Sequence, residues 1–261
     1  MIPKKKWGQN FLRNRGAVDK IVNAIEPRPG EVIVEIGQGE GVLTEKLVTL
    51  GEVQAIEIDP ELAEKLRGKF GDIIVNADAL EAPLPTRPFR AVGNLPYNVG
   101  TPILRRVIAD PNFQRAVFML QMEVADRLVA KPGDEQYGYL TLYRQLYASA
   151  KILLKLEPRS FYPPPKVRSA VVVLDPDRKT YASDALIDLI STAFRMRRKK
   201  LINNLIGWRD LNREQAERLL EQADIKANAR AEELGIDDFA RLMSEALSFP
   251  PPSRSVILLD E

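Results

Sequence analysis

Cysteine and histidine are both absent from the 261 residues of this chain. Without cysteine there are no disulfides, no thiolate nucleophiles and no zinc–cysteine sites. Without histidine the chain lacks the usual general base and the commonest metal ligand. Any chemistry must therefore use carboxylates, amides, hydroxyls, amines or a bound cofactor.

Long apolar segments and a strong excess of one charge are also missing. No apolar run approaches the roughly 18 residues that cross a membrane, and the first residues do not resemble a signal peptide. The 38 basic and 36 acidic residues leave a net charge of only +2. We therefore expect a cytoplasmic protein with no membrane partner, whose affinity for nucleic acid would depend on local clusters.

Basic residues do cluster near both ends of the chain. KKKW occupies residues 4–7 and is followed by Arg13 and Arg15, and RMRRKK occupies residues 195–200. Such clusters fit contacts to the phosphate backbone of a nucleic acid. Either cluster alone is also compatible with an ordinary solvated face.

The hydrophobic pattern divides the chain into an α/β part and a helical part. Three prolines in a row predict an extended, irregular loop over residues 161–167. We predict a Rossmann-like α/β domain over residues 1–177 and a small all-helical domain with a tail over residues 178–261. The predicted strands lie at residues 32–36, 53–58, 73–75, 89–92, 116–120, 150–156 and 168–174, and the predicted C-terminal helices at 185–194, 199–206, 213–223 and 237–247. Helices are also predicted at residues 15–25 and 60–70, after residues 37–41 with Leu50 facing inward, and from Thr101, whose side chain could cap it.

A nucleoside site is indicated by the segments that follow the first three strands. The first strand ends in a glycine-rich turn that begins at Gly37, where the backbone can approach a ligand closely. Glu57 lies 20 positions after Gly37, the distance at which an acidic residue reaches ribose hydroxyls. Asp78 follows the third strand and either accepts from an adenine amino group or caps a helix. The spacing Gly-x-Gly-x-Gly differs from the dinucleotide fingerprint, which disfavours NAD.

A second set of groups follows the fourth strand, in the motif NLPY at residues 94–97. An exocyclic amine such as adenine N6 has two N–H donors, and the Asn94 Oδ1 and the Leu95 carbonyl could accept one each. Both bonds together would aim the nitrogen lone pair at an electrophile. Tyr97 is placed to stack on the ring, with Phe161 as a candidate second stacking surface. The alternative interpretation is a simple turn.

The two sets of residues together favour S-adenosylmethionine as the cofactor and S-adenosylhomocysteine as its product. The sulfonium carries an electrophilic methyl group and needs no metal, and the sequence contains neither a Walker lysine nor a metal motif. The reaction would be in-line methyl transfer to an aromatic amine, governed by positioning and electrostatics. A target base must be unpaired or flipped to enter such a pocket.

Four motifs in order resemble those of the ribosomal-RNA adenine N6-dimethyltransferases: GQNFL at 8–12, EIGQGEG at 35–41, NLPY at 94–97 and FYPPPKV at 161–167. Residues 194–205 are similar to the KsgA-type branch that acts on the small subunit. The resemblance implies a class I methyltransferase that dimethylates two adjacent adenosines in the 3′-terminal hairpin loop of 16S rRNA, within a 30S pre-ribosomal particle. It also implies a cofactor site of Asn10, Leu12, Gly37, Glu57, Asp78 and Asn94, and a target-adenine site of Asn94, Leu95, Tyr97 and Phe161.

The chain departs from the family pattern at two positions. Gln38 stands where proline is frequent, and Gly100 where serine is usual. We hypothesise that space beside Gly100 lets a monomethylated base rotate and bind again. We expect a monomer without a metal. Two other functions stay open, a large-subunit rRNA methyltransferase that confers macrolide resistance and a non-catalytic RNA-binding assembly factor.

Overall fold

The computed structural model describes residues 9–248, so the basic cluster at residues 4–7 and the tail beyond residue 248 lie outside the described part. The described chain divides into two compact units. Unit 1 comprises residues 9–129 and 147–178, and unit 2 comprises residues 130–146 and 179–248. No helix of residues 9–248 is long and apolar enough to cross a membrane.

Unit 1 is built around a seven-stranded sheet with a separate two-stranded ribbon. The strands are β1 (Phe11–Leu12), β2 (Val32–Ile36), β3 (Val53–Glu57), β4 (Ile74–Asn76), β5 (Phe89–Asn94), β6 (Phe113–Gln121), β7 (Ala148–Leu156), β8 (Phe161–Tyr162) and β9 (Ser169–Pro176). The sheet order is β4-β3-β2-β5-β6-β9-β7. Strands β2 to β6 pair in parallel, and β9 runs antiparallel to both of its neighbours.

Helices connect the strands of unit 1 and make up most of unit 2. They are α1 (Arg15–Ile25), α2 (Thr44–Leu47), α3 (Pro60–Phe70), α4 (Gly100–Ala109), α5 (Met122–Val129), α6 (Tyr139–Tyr147), α7 (Asp184–Ala193), α8 (Leu201–Leu205), α9 (Arg213–Gln222) and α10 (Ile236–Ser248). Helix α1 is typical, because the Asn14 side chain caps it by accepting from the Ala17 N–H at 3.0 Å. Its apolar face, which includes Ile21 and Ile25, is buried in the core of unit 1.

Burial explains why the strand pattern was visible in the sequence. Every residue of β2 is buried, as expected for a parallel strand covered by helices on both faces. Arg90 is the unexpected residue in β5: it is buried, forms an ion pair with Glu31 and donates to the Ile25 carbonyl at 2.9 Å. Its charge is therefore fully compensated inside an otherwise apolar layer.

All seven predicted strands are confirmed, but several local predictions are wrong. Residues 161–167 are not wholly irregular, because β8 pairs with β1. Helix α4 begins at Gly100 after Val99, and no side chain caps it, so the predicted cap by Thr101 is wrong. Leu50, expected to point inward, is 43% exposed, because α2 ends at Leu47.

The division into units differs from the predicted domains in residues 130–146. The hydrophobic pattern predicts this segment within the α/β domain, whereas it groups with the C-terminal helices. The Tyr137 hydroxyl donates to the Leu234 carbonyl at 2.7 Å, and the Tyr137 ring contacts Phe194 edge-on at 6.3 Å. These partners lie far along the chain, so no local pattern reveals them.

Candidate active site

The carboxyl ends of β2, β3, β4 and β5 meet at one edge of the sheet, which is where open α/β sheets bind ligands. One cleft at this edge brings together four of the predicted cofactor residues, Asn10, Gly37, Glu57 and Asn94. An adjoining cleft is lined by Leu12, again with Gly37 and Asn94. Asp78 lines an apolar slot that also reaches Gly37. The six predicted cofactor residues therefore line three clefts that share Gly37.

The glycine-rich turn after β2 needs its glycines for two physical reasons. Gly37, Gly39 and Gly41 have φ angles of 74°, 59° and 80°, a region that favours glycine. A Cβ on Gly39 would lie 2.9 Å from the ring of Phe11. The turn can therefore pass directly beneath Phe11 only because Gly39 has no side chain.

Glu57 is buried at the end of β3 beside this turn. Its carboxylate accepts from the Asp59 N–H at 3.0 Å and the Gly39 N–H at 3.3 Å. Burial raises the pKa of Glu57, and the Asp59 charge adds to this, although the backbone hydrogen bonds act in the opposite direction. A ligand hydroxyl that donates to Glu57 would stabilise its charged form.

Asp78 combines the two roles that the sequence left open. Its Oδ1 accepts from the Leu80 N–H at 2.8 Å, which is the capping interaction. No donor within residues 9–248 contacts its Oδ2, and the residue lines the slot together with Ile56 and Ile58. One oxygen therefore stabilises the turn and the other is available to a ligand.

Asn94 is oriented by the N-terminal segment. Its Nδ2 donates to the Asn10 carbonyl at 2.7 Å. Because only the amide nitrogen can donate to a carbonyl, this contact fixes the side chain with Oδ1 on the other side. Within the described part of the chain, no group donates to the Asn94 Oδ1 or to the Leu95 carbonyl. Two neighbouring residues thus present two open acceptors.

The backbone around these acceptors is firmly positioned. The Leu95 N–H donates to the Met119 carbonyl at 3.1 Å, and the Pro96 carbonyl accepts from the Gly100 N–H at 2.7 Å. The Tyr97 hydroxyl forms a 2.8 Å hydrogen bond with the Ser169 hydroxyl. The half-buried ring of Tyr97 is therefore tethered at its far end, which suits a fixed stacking surface.

Phe161 requires a correction. The sequence predicted a stacking surface, but its ring is only 4% exposed and packs in the hydrophobic core of unit 1. The next residue, Tyr162, is 53% exposed. The cause is the pairing of β8 with β1, since successive side chains of a strand point to opposite faces. The structure therefore gives Phe161 no widely open ring face.

The hypothesis of free space beside Gly100 is also wrong. A Cβ at this position would lie 3.2 Å from the Leu95 Cβ and 3.5 Å from Leu120 Cδ2. The first distance is tighter than ordinary van der Waals contact. Gly100 instead permits close packing of α4 against Leu95, whose carbonyl is one of the two acceptors.

Glu35 is a residue that the sequence analysis missed, although a charged residue in the apolar run VIVEI was the available signal. It is fully buried, and its Oε2 accepts from the Thr44 hydroxyl at 2.7 Å. Burial, with a contribution from the Glu57 charge, raises the pKa of Glu35 to about 8. Gln38, which stands where the family often has proline, donates its side-chain N–H to the Glu35 carbonyl at 2.9 Å. This hydrogen bond connects the turn to β2.

The second basic cluster forms an ordered loop within unit 2. Asn204 is buried beneath it: its Oδ1 accepts from the Met196 N–H at 3.1 Å, and its Nδ2 donates to the Ala193 carbonyl at 2.8 Å. Arg197 donates to the carbonyls of Glu135 and Tyr137 at 2.6 and 2.9 Å. The other cationic side chains of the loop are exposed and make no ion pair within residues 9–248: Arg195, Arg198, Lys199 and Lys200.

Comparison with protein families and curated relatives gives a consistent result. A model described as "Ribosomal RNA adenine dimethylase" matches residues 3–247. The chain is 39% identical to "Ribosomal RNA small subunit methyltransferase A" of Hahella chejuensis, over 97% of this chain and 96% of the relative. It is 40% identical to the protein of the same name from Methylococcus capsulatus, over 92% of this chain and 96% of the relative.

Solved structures of similar fold include two enzymes of related activity. A dimethyladenosine transferase from Plasmodium falciparum superposes with a TM-score of 0.80 at 26% identity, covering 91% of this chain and 98% of that one. The 23S rRNA methyltransferase ErmE superposes with a TM-score of 0.69 at 29% identity, covering 90% of this chain and 99% of that one. The similarity extends in both cases over nearly the whole chain.

Proposed function

Because the chain belongs to the ribosomal RNA adenine dimethylase family, we propose that its substrate is the small-subunit rRNA of a 30S pre-ribosomal particle. The chain is an S-adenosylmethionine-dependent rRNA adenine dimethyltransferase. It dimethylates N6 of two adjacent adenosines in the loop of the 3′-terminal hairpin, a step of ribosome biogenesis. The names of the two relatives at about 40% identity support the small subunit as the target.

The clefts at the sheet edge have the groups that S-adenosylmethionine requires. When bound, the cofactor supplies an electrophilic methyl group on its sulfonium. The Glu57 carboxylate would accept from the ribose hydroxyls, and Asp78 from the adenine amino group at the apolar slot. Asn10, Leu12 and Gly37 would supply the walls of the clefts. The Oδ2 of Asp78 supports this fit, because it lies beside the apolar side chains of the slot and is available to a donor from the cofactor.

The observation that carries the proposal is the pair of open acceptors at Asn94 and Leu95. An unmethylated adenine N6 donates one hydrogen to the Asn94 Oδ1 and the other to the Leu95 carbonyl, which directs its lone pair out of the ring plane. Tyr97 stacks on the ring and limits its tilt, and the packed ring of Phe161 supports the segment beside it. Each transfer would replace one N–H hydrogen by a methyl group and release that hydrogen as a proton to solvent. After the first methylation one N–H remains, so the second transfer proceeds with one of the two hydrogen bonds.

The test is transfer of labelled methyl groups to undermethylated small subunits, followed by nuclease digestion and separation of the nucleosides. The wild type should produce N6,N6-dimethyladenosine in the 3′-terminal hairpin. Asn94→Ala should lower kcat by roughly 100-fold or more, as expected when a preorganised polar group at the reacting atom is removed. Asn98→Ala is the matched control, because it removes an exposed amide from the same turn.

Other outcomes would favour the remaining functions. Transfer to large subunits but not to small ones would identify a large-subunit enzyme like ErmE. Cofactor binding without transfer to either subunit would leave an RNA-binding assembly factor as the better description. Equal activity of the two alanine variants would contradict the assigned role of Asn94.

A further inference from the structure

Residues 9–13, here called the strap, connect the cofactor clefts with the β8 segment. At one end, the Gln9 amide donates to Asp59 Oδ2 at 2.9 Å. In the middle, the Asn10 carbonyl accepts from the Asn94 side chain. At the other end, β1 pairs with β8, and the Arg13 N–H donates to the Ser160 carbonyl at 2.7 Å.

The side chain of Arg13 adds a contact that the sequence did not predict. Its guanidinium binds both oxygens of Glu40 in the glycine-rich turn, at 2.8 and 3.0 Å. The same guanidinium lies 5.8 Å from the centre of the Tyr162 ring. A two-pronged arginine–carboxylate pair is stronger and more directional than a single contact. Arg13 therefore joins the glycine-rich turn, the strap and β8.

We propose that Arg13 is a positioning residue for the target amine. By fixing the strap between Glu40 and Tyr162, it keeps the Asn10 carbonyl against the Nδ2 of Asn94. The Asn94 amide then presents Oδ1, an acceptor, to the incoming base. The catalytic half of this inference rests on the proposed function, but the orientation of Asn94 does not.

The physical reason lies in the near symmetry of an amide. The oxygen and nitrogen of an asparagine side chain are similar in size, so hydrogen-bond partners decide which of them faces a ligand. If the strap moves away, Asn94 can rotate and present its NH₂ group. Two N–H donors would then oppose the two N–H donors of the adenine amine, and the acceptor pair would be lost.

A positioning role for Arg13 differs from the phosphate contact that its place after the first basic cluster predicts. An arginine that contacts phosphate would affect RNA affinity in a salt-dependent way and leave the chemical step unchanged. A positioning residue would instead lower kcat when RNA and cofactor are both saturating. The two roles therefore differ in a measurable quantity.

The experiment compares Arg13→Gln, Glu40→Gln and the double variant in the full-length enzyme. Lys20→Gln is the matched control, because it removes one positive charge from an exposed position of α1. Each single variant should lower kcat about two- to fivefold, the effect expected for a partly exposed ion pair. The double variant should be no worse than either single one, since both remove the same interaction. The charge-swapped pair Arg13→Glu with Glu40→Arg should recover part of the activity.

A second measurement does not depend on methyl transfer. In nitrogen-15 NMR spectra, the side-chain NH₂ signals of Asn94 should shift toward solvent-exposed values in Arg13→Gln and stay unchanged in Lys20→Gln. Unchanged Asn94 signals and kcat in Arg13→Gln, with a salt-dependent rise in the KM for RNA alone, would overturn the inference. If the wild type failed to methylate small subunits while the Asn94 signals still shifted, the proposed function would fail and the positioning role would stand.

Discussion

The Asn94 Oδ1 and the Leu95 carbonyl differ from the polar groups around them, which already have hydrogen-bond partners in the protein. The Asn94 Nδ2, the Leu95 N–H and the Pro96 carbonyl all have protein partners. By contrast, no group of residues 9–248 donates to the Asn94 Oδ1 or to the Leu95 carbonyl. A turn that served only to connect β5 with α4 would not need a side-chain amide held in one orientation.

At the residue scale we predict separable roles for the ring and the hydroxyl of Tyr97. Tyr97→Phe removes the hydrogen bond to Ser169 but keeps the ring, so kcat should fall about two- to tenfold, the effect of one neutral hydrogen bond. Tyr97→Ala also removes the stacking surface, which contributes about 1–3 kcal/mol per base, and should cost a further 10- to 100-fold or so. Steady-state kinetics on small subunits provide the measurement.

Ser169→Ala serves as the control for the hydroxyl. It should match Tyr97→Phe, and the double variant should add nothing to either. Additive losses would mean that the two hydroxyls act separately, which contradicts the tether.

At the scale of elements, helix α8 supports the basic loop through Asn204. The loop, residues 194–200, consists of turns with hydrogen bonds such as that from the Lys199 N–H to the Met196 carbonyl, and the Asn204 side chain adds bonds to Met196 and to the Ala193 carbonyl. Arg197 is engaged with backbone carbonyls of residues 135 and 137. The loop therefore divides into one structural arginine and four exposed cations, Arg195, Arg198, Lys199 and Lys200, that can contact phosphates.

We predict that Asn204→Ala weakens RNA binding without changing cofactor affinity. Loss of the buried hydrogen bonds should lower the free energy of unfolding of unit 2 by about 1–3 kcal/mol and let the loop move. The KM for small subunits should rise several-fold, and cofactor titration should give the wild-type Kd. Asn203→Ala, which removes the neighbouring amide, is the control. Equal effects of the two variants would contradict the supporting role of Asn204.

At the scale of the whole molecule, buried carboxyl groups determine how stability varies with pH. Glu35 has a raised pKa of about 8, against an ordinary value of 4.5. The folded state therefore binds a proton more tightly than the unfolded state, and its stability must decrease as pH rises between these values. The Arg90 hydrogen bond helps to hold the pKa of Glu31 below its ordinary value despite the burial of that carboxyl, so Glu31 acts in the opposite direction at acidic pH.

We predict that Glu35→Gln removes part of the loss of stability above pH 4.5. The slope contributed by one such group approaches about 1.4 kcal/mol per pH unit within the window. Urea unfolding of unit 1 at a series of pH values from 5 to about 8 should give a flatter profile for the variant. Glu57, whose pKa is also raised, should contribute a residual slope of the same sign. A variant profile parallel to that of the wild type would show that Glu35 is charged when folded.

Much of the fold was predictable because hydrophobic periodicity records which faces of a segment are buried. The strands of the sheet follow from short apolar runs, and α1 and α3 were predicted with their observed bounds. Gly37, Glu57, Asp78 and Asn94 could be predicted to lie together because the ends of parallel strands meet at one sheet edge, whereas Asn10 and Leu12 were implied only by the resemblance to the family. The burial of Phe161 and the close packing at Gly100 were not predictable, since both depend on neighbours distant in the chain.

The sequence by itself determined the α/β class, the segments that follow each strand and the chemical types gathered there, because these are properties of local stretches. The tertiary structure alone decided which of those groups contact one another. Pairing of β1 with β8 brings residues 9–13 across the sheet edge, places the exposed Arg13 beside Glu40, and sets the Asn10 carbonyl against the Asn94 side chain. Contacts between such distant segments depend on the whole packed chain, and no local pattern encodes them.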